Sequence, residues 1–87
     1  MFEILLDRQP QKFLEKCERS LYDRLIRKLE ELKKEPVPYD VKRVVGRKEP
    51  VFRLRVGKYR ILYRINYEEK RVVVVKIDLR ESAYLQF

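Results

Sequence analysis

Residues 52–65 read FRLRVGKYRILYRI, and apolar and basic side chains alternate along this stretch on both sides of a glycine. Such alternation is typical of half-buried β-strands, because successive side chains point to opposite faces of a sheet. The pair Gly57–Lys58 suits a two-residue type II′ turn. The stretch therefore predicts a β-hairpin with strands over 51–56 and 59–65. One face carries Phe52, Leu54, Val56, Tyr59, Ile61, Tyr63 and Ile65, and the other carries Arg53, Arg55, Arg60, Leu62 and Arg64.

Two further strands flank this hairpin in the chain. Residues 72–77, VVVVKI, are apolar on both faces, which predicts a central strand. Where this strand continues, Lys76, Asp78 and Arg80 are spaced by two residues and so share one face. Residues 2–7, FEILLD, are short and mostly apolar and predict a first strand that joins the same sheet.

The region between the first strand and the hairpin has helical periodicity. Pro10 suits the first turn of one helix, and Phe13, Leu14 and Cys17 share a face of it. Ser20 and Asp23 resemble a capping box at the start of a second helix. Its predicted apolar face consists of Tyr22, Leu25, Ile26, Leu29 and Leu32, and Pro36 and Pro38 end it.

These elements predict one α+β domain over residues 1–87 with the order β-α-α-β-β-β. A helical hairpin would cover one face of a mainly antiparallel four-stranded sheet. The opposite, solvent-facing side would then display Arg53, Arg55, Arg60 and Arg64, with Arg80 at one end.

The net charge of +8 arises from a single block of the sequence. Residues 1–41 carry nine Lys or Arg and nine Asp or Glu, and residues 65–87 carry four of each. Residues 42–64 carry nine basic residues and one acid, Glu49. An unbalanced block repels itself unless a polyanion neutralises it, and arginine is the better bidentate phosphate ligand. The block therefore favours RNA phosphates, with an acidic protein partner as the alternative.

Composition excludes several other classes of function. The chain has no histidine and a single cysteine, Cys17, so neither an internal disulfide nor a metal site is expected. Cys17 is expected to be a small buried hydrophobe. No apolar run approaches the roughly 20 residues of a membrane span, and the first residues do not form a signal peptide. We expect a cytoplasmic protein without cofactors.

The hairpin motif, its β-α-α start and the tail from Arg80 to Tyr84 resemble the RelE/ParE toxin superfamily, most closely archaeal RelE-type toxins. The resemblance covers nearly the whole chain. It implies a RelE-like fold and a toxin of a type II toxin–antitoxin pair that a cognate antitoxin silences. RelE-type members act on the ribosome and cut mRNA in the A site, which inhibits translation. ParE-type members share the fold and inhibit DNA gyrase.

By position, the resemblance implies that Arg60, Arg80 and Tyr84 are catalytic, with Tyr84 stacking on the substrate base. Arg53 and Arg55 match a basic pair in which lysines often stand. Together with the other cations of the charge block, the predicted RNA- and phosphate-binding residues are Arg53, Arg55, Lys58, Arg47 and Lys48.

Metal-free cleavage by such a site would use the 2′-hydroxyl of the RNA as the nucleophile. Arginine is effectively never deprotonated, so the general base is open; Glu49 and Glu81 are the nearby carboxylates. Arg64 is interpreted as a partner of an acid across the sheet, and Tyr59 and Tyr63 as core residues. Two other functions remain: a ParE-like gyrase inhibitor, and a non-catalytic RNA- or ribosome-binding relative.

Overall fold

The alternating stretch forms a β-hairpin within a five-stranded sheet in a computed structural model, which describes residues 1–38, 41–44 and 50–79. The strands are β1 (Glu3–Leu6), β2 (Lys42–Arg43), β3 (Phe52–Val56), β4 (Tyr59–Asn66) and β5 (Arg71–Leu79). The helices are α1 (Arg8–Lys16) and α2 (Arg19–Lys34). Among these helices, none is long and apolar enough to cross a membrane.

The strand order in the sheet is β1-β5-β4-β3-β2, and β5 lies between β1 and β4 as its apolar sequence predicts. Strand β1 pairs parallel with β5, while β2, β3, β4 and β5 pair antiparallel in succession. The α+β class with two helices on a sheet is confirmed. The fifth strand, β2, was not predicted, because its two residues are too few for an alternating pattern.

The turn of the hairpin has the predicted form. Val56 pairs with Tyr59, and the intervening Gly57 has a φ of 60°. Lys58 does not have positive φ, which fits type II′ and excludes type I′. A Cβ added to Gly57 would lie 2.5 Å from Nη2 of Arg24, so the α2 side chain extends over this turn.

The core lies between the helices and one face of the sheet. Helix α2 contributes Leu21, Leu25, Leu29 and Leu32, and the sheet contributes Leu54, Val56, Ile61, Tyr63, Val72, Val74 and Ile77. The prediction placed Tyr22 on the buried face, but Tyr22 is 37% exposed and its neighbour Leu21 is buried. The spacing of four residues from Leu21 to Leu25 to Leu29 explains this difference, because it keeps the leucines on one stripe.

The predicted capping box at Ser20 is wrong. Helix α2 begins at Arg19, and its N-cap is Glu18, whose side chain makes no capping hydrogen bond. The hydroxyl of Ser20 instead donates to Oε1 of Glu18 at 3.2 Å. Only Cys17 and Glu18 separate the two helices, so the position of this short turn sets the first residue of α2.

A β-bulge changes which residues of β5 face the core. Leu62 pairs with Lys76 but Tyr63 pairs with Val74, so Val75 is the extra residue. The buried positions are therefore Val72 and Val74 before the bulge and Ile77 after it. Lys76 and Asp78 consequently lie on the side of the sheet opposite the helices.

The two tyrosines interpreted as core residues are confirmed as such. Tyr63 is fully buried, and its hydroxyl donates to the backbone oxygen of Pro36 at 2.6 Å. Tyr59 is half-buried and packs edge-to-face on Phe13, with ring centroids 5.6 Å apart. Neither ring is available as a stacking platform on the arginine side.

The side chain of Gln9 closes the edge of β5 where β1 has ended. Its Nε2 donates to the carbonyl of Ile77 at 2.7 Å, and its Oε1 accepts from the amide of Ile77 at 2.8 Å. A side-chain amide thus takes the place of a neighbouring strand beside Lys76 and Asp78.

We expect Gln9→Met to lower the free energy of unfolding by about 2 kcal/mol, because both backbone groups of Ile77 lose their partner. The matched control is Gln11→Met, since Gln11 makes one exposed hydrogen bond to the Leu6 carbonyl. Urea unfolding of both variants measures the difference. Equal effects of the two substitutions would contradict the role assigned to Gln9.

Candidate nucleic-acid interface

Basic side chains form two rows across the face of the sheet that the helices leave uncovered. Strand register places Arg60 directly opposite both Arg55 and Asp78. It places Leu62 opposite both Arg53 and Lys76, and Arg53 also opposite Lys42. We call these seven residues the arginine face: Lys42, Arg53, Arg55, Arg60, Leu62, Lys76 and Asp78. Neighbouring strands lie about 4.8 Å apart, so the three-strand row through Arg60 is about 10 Å wide and the four-strand row through Leu62 is about 14 Å wide.

The arginine face is less exposed than its sequence predicted. Arg55 is exposed and Arg53 is half-buried, but Arg60 is only 6% exposed. The Nε and Nη1 atoms of Arg60 each have less than 1 Å² of accessible surface. Because its guanidinium is buried, Arg60 is held in a narrow range of orientations. A group that must contact a phosphate in one fixed geometry needs such restriction.

An apolar cluster lies next to Arg60 on the same face of the sheet. Leu62 is 1% exposed and clusters with Val51, and Val44 and Val75 pack against the pair. Val75 faces away from the helical core and joins this cluster, and the bulge places the following residue, Lys76, on the same side. The charged side chains therefore lie around an apolar cluster, and this face is not a uniformly polar, solvent-exposed surface.

Lys76 and Asp78 are members of the arginine face that the sequence reasoning did not assign to the site. Nζ of Lys76 lies 4.0 Å from Oδ2 of Asp78, and Oδ1 of Asp78 accepts from the amide of Leu79 at 2.8 Å. Their shared parity was visible in the sequence, but the bulge that sets their face was not. Asp78 is a carboxylate beside Arg60, whereas the predicted carboxylates Glu49 and Glu81 lie outside the described residues.

The other predicted site residues have different outcomes. Lys58 is exposed at the tip of the hairpin, next to the Arg55–Arg60 row. Arg64 is half-buried, and the residue directly opposite it on β5 is Val73, so its pairing with an acid stays a prediction. The remaining four, Arg47, Lys48, Arg80 and Tyr84, lie outside the described residues, so their roles stay predictions.

The chemistry of the arginine face suits a polyanion. Arg55 and Arg60 are like charges directly opposite each other, which destabilises a sheet, and Asp78 on the other side of Arg60 adds one negative charge to this row of two positive charges. A phosphate between them would relieve this repulsion and match the guanidinium forks. Within 1–38, 41–44 and 50–79 there is no cluster of three or more side chains that could hold a metal ion.

The chain is similar to known toxins in sequence. A family profile described as the ParE toxin of the type II toxin–antitoxin system parDE matches residues 4–84. A protein of Methanocaldococcus jannaschii that is named as a toxin, RelE1, is 39% identical over 59 residues. The chain spans 64% of the length of that relative, and the match covers 64% of this chain.

The fold is similar to toxins in solved toxin–antitoxin complexes. The archaeal RelE–RelB complex of Pyrococcus horikoshii matches with a TM-score of 0.79 and 28% identity, covering 91% of this chain and 94% of that one. The RelBE2 complex of Mycobacterium tuberculosis matches with a TM-score of 0.75 and 26% identity, covering 91% and 98%. The resemblance to the RelE/ParE superfamily and the RelE-like fold are thereby confirmed.

We expect Arg55→Ala to weaken binding to a short single-stranded RNA and to reduce the dependence of log K on log salt by about 0.7, because one phosphate contact is lost. Arg27→Ala is the control, since Arg27 is an exposed residue of α2. Fluorescence anisotropy across a salt series measures both slopes. An unchanged slope in Arg55→Ala would remove Arg55 from the interface.

Proposed function

Since this chain belongs to the ParE toxin family of type II toxin–antitoxin systems, we propose that it cleaves mRNA in the ribosomal A site and so inhibits translation. The relatives at 39%, 28% and 26% identity are all named RelE or RelBE, which favours the RelE type of activity. The toxin would act in the cytoplasm, where translating ribosomes lie.

The observation that carries this proposal is the Arg55–Arg60–Asp78 row. It combines an exposed guanidinium, a buried guanidinium and a carboxylate in direct cross-strand contact positions. Arg55 can bind a flanking phosphate while Arg60 contacts the scissile phosphate. The second row adds Arg53 and Lys76, so that cations lie about 7 Å further along the strands.

The reaction needs no metal ion. The 2′-oxygen of the RNA attacks the adjacent phosphorus, the bond from phosphorus to the 5′-oxygen breaks, and the 2′-proton passes to a base. The products are a 2′,3′-cyclic phosphate and a 5′-hydroxyl, which takes up a proton. Arg60 stabilises the charge of the pentavalent phosphate, and Arg80 and Tyr84 supply a second cation and a stacking ring.

Asp78 adds a third carboxylate to the two predicted near this site, Glu49 and Glu81. It lies opposite Arg60, and Lys76 is 4.0 Å from its Oδ2 atom. A carboxylate among three cations limits their mutual repulsion, and at the position opposite Arg60 it would favour one orientation of the guanidinium. We therefore propose Asp78 as a positioning residue for Arg60.

The ribosome would supply what the isolated domain lacks. Arg60 is buried, so a free, flexible RNA has few ways to place a phosphate against it. A strand held in one conformation on the ribosome meets that requirement, because orientation is fixed before binding. The proposal therefore includes poor cleavage of free RNA.

A cognate antitoxin is the proposed protein partner. The similar toxins of Pyrococcus horikoshii and Mycobacterium tuberculosis were solved in complexes with their antitoxins. A ParE-like inhibitor of DNA gyrase is the second candidate, because the family description names ParE. That candidate requires no phosphate-cleaving residues.

Arg60→Ala should lower ribosome-dependent mRNA cleavage by about 10²–10³-fold, because a transition-state donor is removed. Arg60→Lys keeps the charge but loses the fork, so its loss should be smaller. Primer extension on mRNA from a translation extract containing the purified protein measures the cuts, with an untranslated RNA and Arg27→Ala as controls.

Thermal unfolding of each variant separates loss of activity from loss of fold, since Arg60 is buried. Intact mRNA with wild-type protein would overturn the nuclease, and a gyrase supercoiling assay would then test the second candidate. Fast cleavage of the untranslated RNA would overturn the dependence on ribosomes.

Asp78→Asn should change RNA binding and cleavage in opposite directions. Removing a negative charge beside the phosphates tightens binding, whereas the loss of the group that orients Arg60 slows cleavage. Anisotropy and primer extension on the same protein measure the two effects, with Glu69→Gln in the exposed turn before β5 as the control. Cleavage that increases together with binding would contradict the positioning role.

A further inference from the structure

The end of β5 that carries Asp78 lies at an open edge of the sheet. Strand β1 pairs with β5 only as far as Val74, and the amide of Asp7 makes one more backbone bond, to the Val74 carbonyl at 2.9 Å. Beyond Val74, none of the described strands lies on this side of β5. The segment that places Asp78 opposite Arg60 is therefore held by a neighbouring strand, β4, on one side only.

The bulge at Val75 also decides where the backbone groups of this segment point. Before the bulge, the carbonyls that face β1 are those of Lys70 and Val74, which accept from the amides of Glu3 and Asp7. The extra residue reverses the alternation, so that beyond it the groups of Ile77 point to the open edge. Ile77 is fully buried, and unpaired backbone groups at a buried residue would be costly.

Gln9 in the first turn of α1 meets both of these groups. Its Nε2 donates to the Ile77 carbonyl at 2.7 Å, and its Oε1 accepts from the Ile77 amide at 2.8 Å. One side-chain amide can replace a strand here because it carries a donor and an acceptor on the same planar group. Gln9 is thus the partner that the bulge requires, although it is 68 residues away in the sequence.

We propose that Gln9 is a positioning residue for phosphate chemistry on the opposite face of the sheet. Ile77 lies between Lys76 and Asp78, so fixing its backbone fixes the directions in which these two charged side chains leave the strand. Asp78 lies opposite Arg60, and Lys76 is 4.0 Å from Asp78. The role rests on the proposed function, because it concerns cleavage at the row that contains Arg60.

The first test measures cleavage of mRNA on ribosomes as a function of protein concentration. Gln9→Met should lower the maximal rate by between about tenfold and a hundredfold, because small misplacements of positioned groups have effects of this size. The concentration that gives half the maximal rate should change less than about twofold, since Arg53 and Arg55 still bind phosphates. Gln11→Met is the matched control. Ile26→Ala, which removes a half-buried contact on the helical side, controls for lost stability.

Gln9→Glu gives a second test that does not depend on a loss of folding. A protonated carboxyl can donate to the Ile77 carbonyl and accept from its amide, whereas a carboxylate can only accept. The maximal rate of Gln9→Glu relative to wild type should therefore rise as the pH falls, while the ratio for Gln9→Met stays flat. The charged residues near Gln9 and Ile77 are common to all these proteins and cancel in the ratio: Asp7, Arg8, Lys12, Lys76 and Asp78.

A third measurement needs neither RNA nor ribosomes. The Nε atom of Arg60 has less than 1 Å² of accessible surface, so its N–H should give a sharp NMR resonance that exchanges slowly with water. In Gln9→Met this resonance should shift and broaden, and the Ile77 amide should exchange faster. In Gln11→Met and Ile26→Ala both signals should stay as in wild type.

The positioning role would be overturned by any of three results. These are a wild-type maximal rate in Gln9→Met, an equal loss in Ile26→Ala at the same folded fraction, and a rate ratio for Gln9→Glu that does not rise with acidity. Intact mRNA with the wild-type protein would instead remove the proposed function. The Arg60 resonance would then still decide whether Gln9 orders the row, and an unchanged resonance in Gln9→Met would remove that ordering as well.

Discussion

The β-bulge in β5 determines which side chains share a face with Arg60. With an uninterrupted strand, the parity that buries Val72 and Val74 would also turn Lys76 and Asp78 toward the helices. Two charged groups in a leucine-rich core would cost far more than a single ladder irregularity. The extra residue Val75 avoids this cost, and it places Ile77 in the core while the neighbouring charges lie on the arginine face.

Local periodicity accounts for the parts of the fold that the sequence predicted correctly. The alternation around Gly57 sets both faces of the hairpin, and the leucine spacing sets the buried face of α2. Periodicity did not predict the first residue of α2 or the existence of strand β2. Glu18 begins the helix without a side-chain cap, and Lys42–Arg43 is too short to have a period.

The site was only partly predictable because burial depends on neighbours that are distant in the sequence. The motif located Arg53, Arg55 and Arg60 correctly on one face, but nothing local indicated that Arg60 is buried. Its cross-strand neighbours are on β3 and β5, and the apolar cluster around Leu62 lies on the same face. Counting charges along the sequence had a similar limit. It found the basic block at 42–64, but residues 1–41 have balanced charge, and only the folded helices bring Arg8, Lys12, Lys16 and Arg24 together around one groove.

The parallel pairing of β1 with β5 joins the two ends of the described chain. Glu3 pairs with Arg71, which lies 68 residues further along the sequence. A contact of such sequence separation forms late, because the intervening chain must be ordered first. During synthesis, β1 has no strand to pair with until β5 has emerged from the exit tunnel. We therefore expect the sheet of a nascent copy to remain incomplete until β5 has left the exit tunnel.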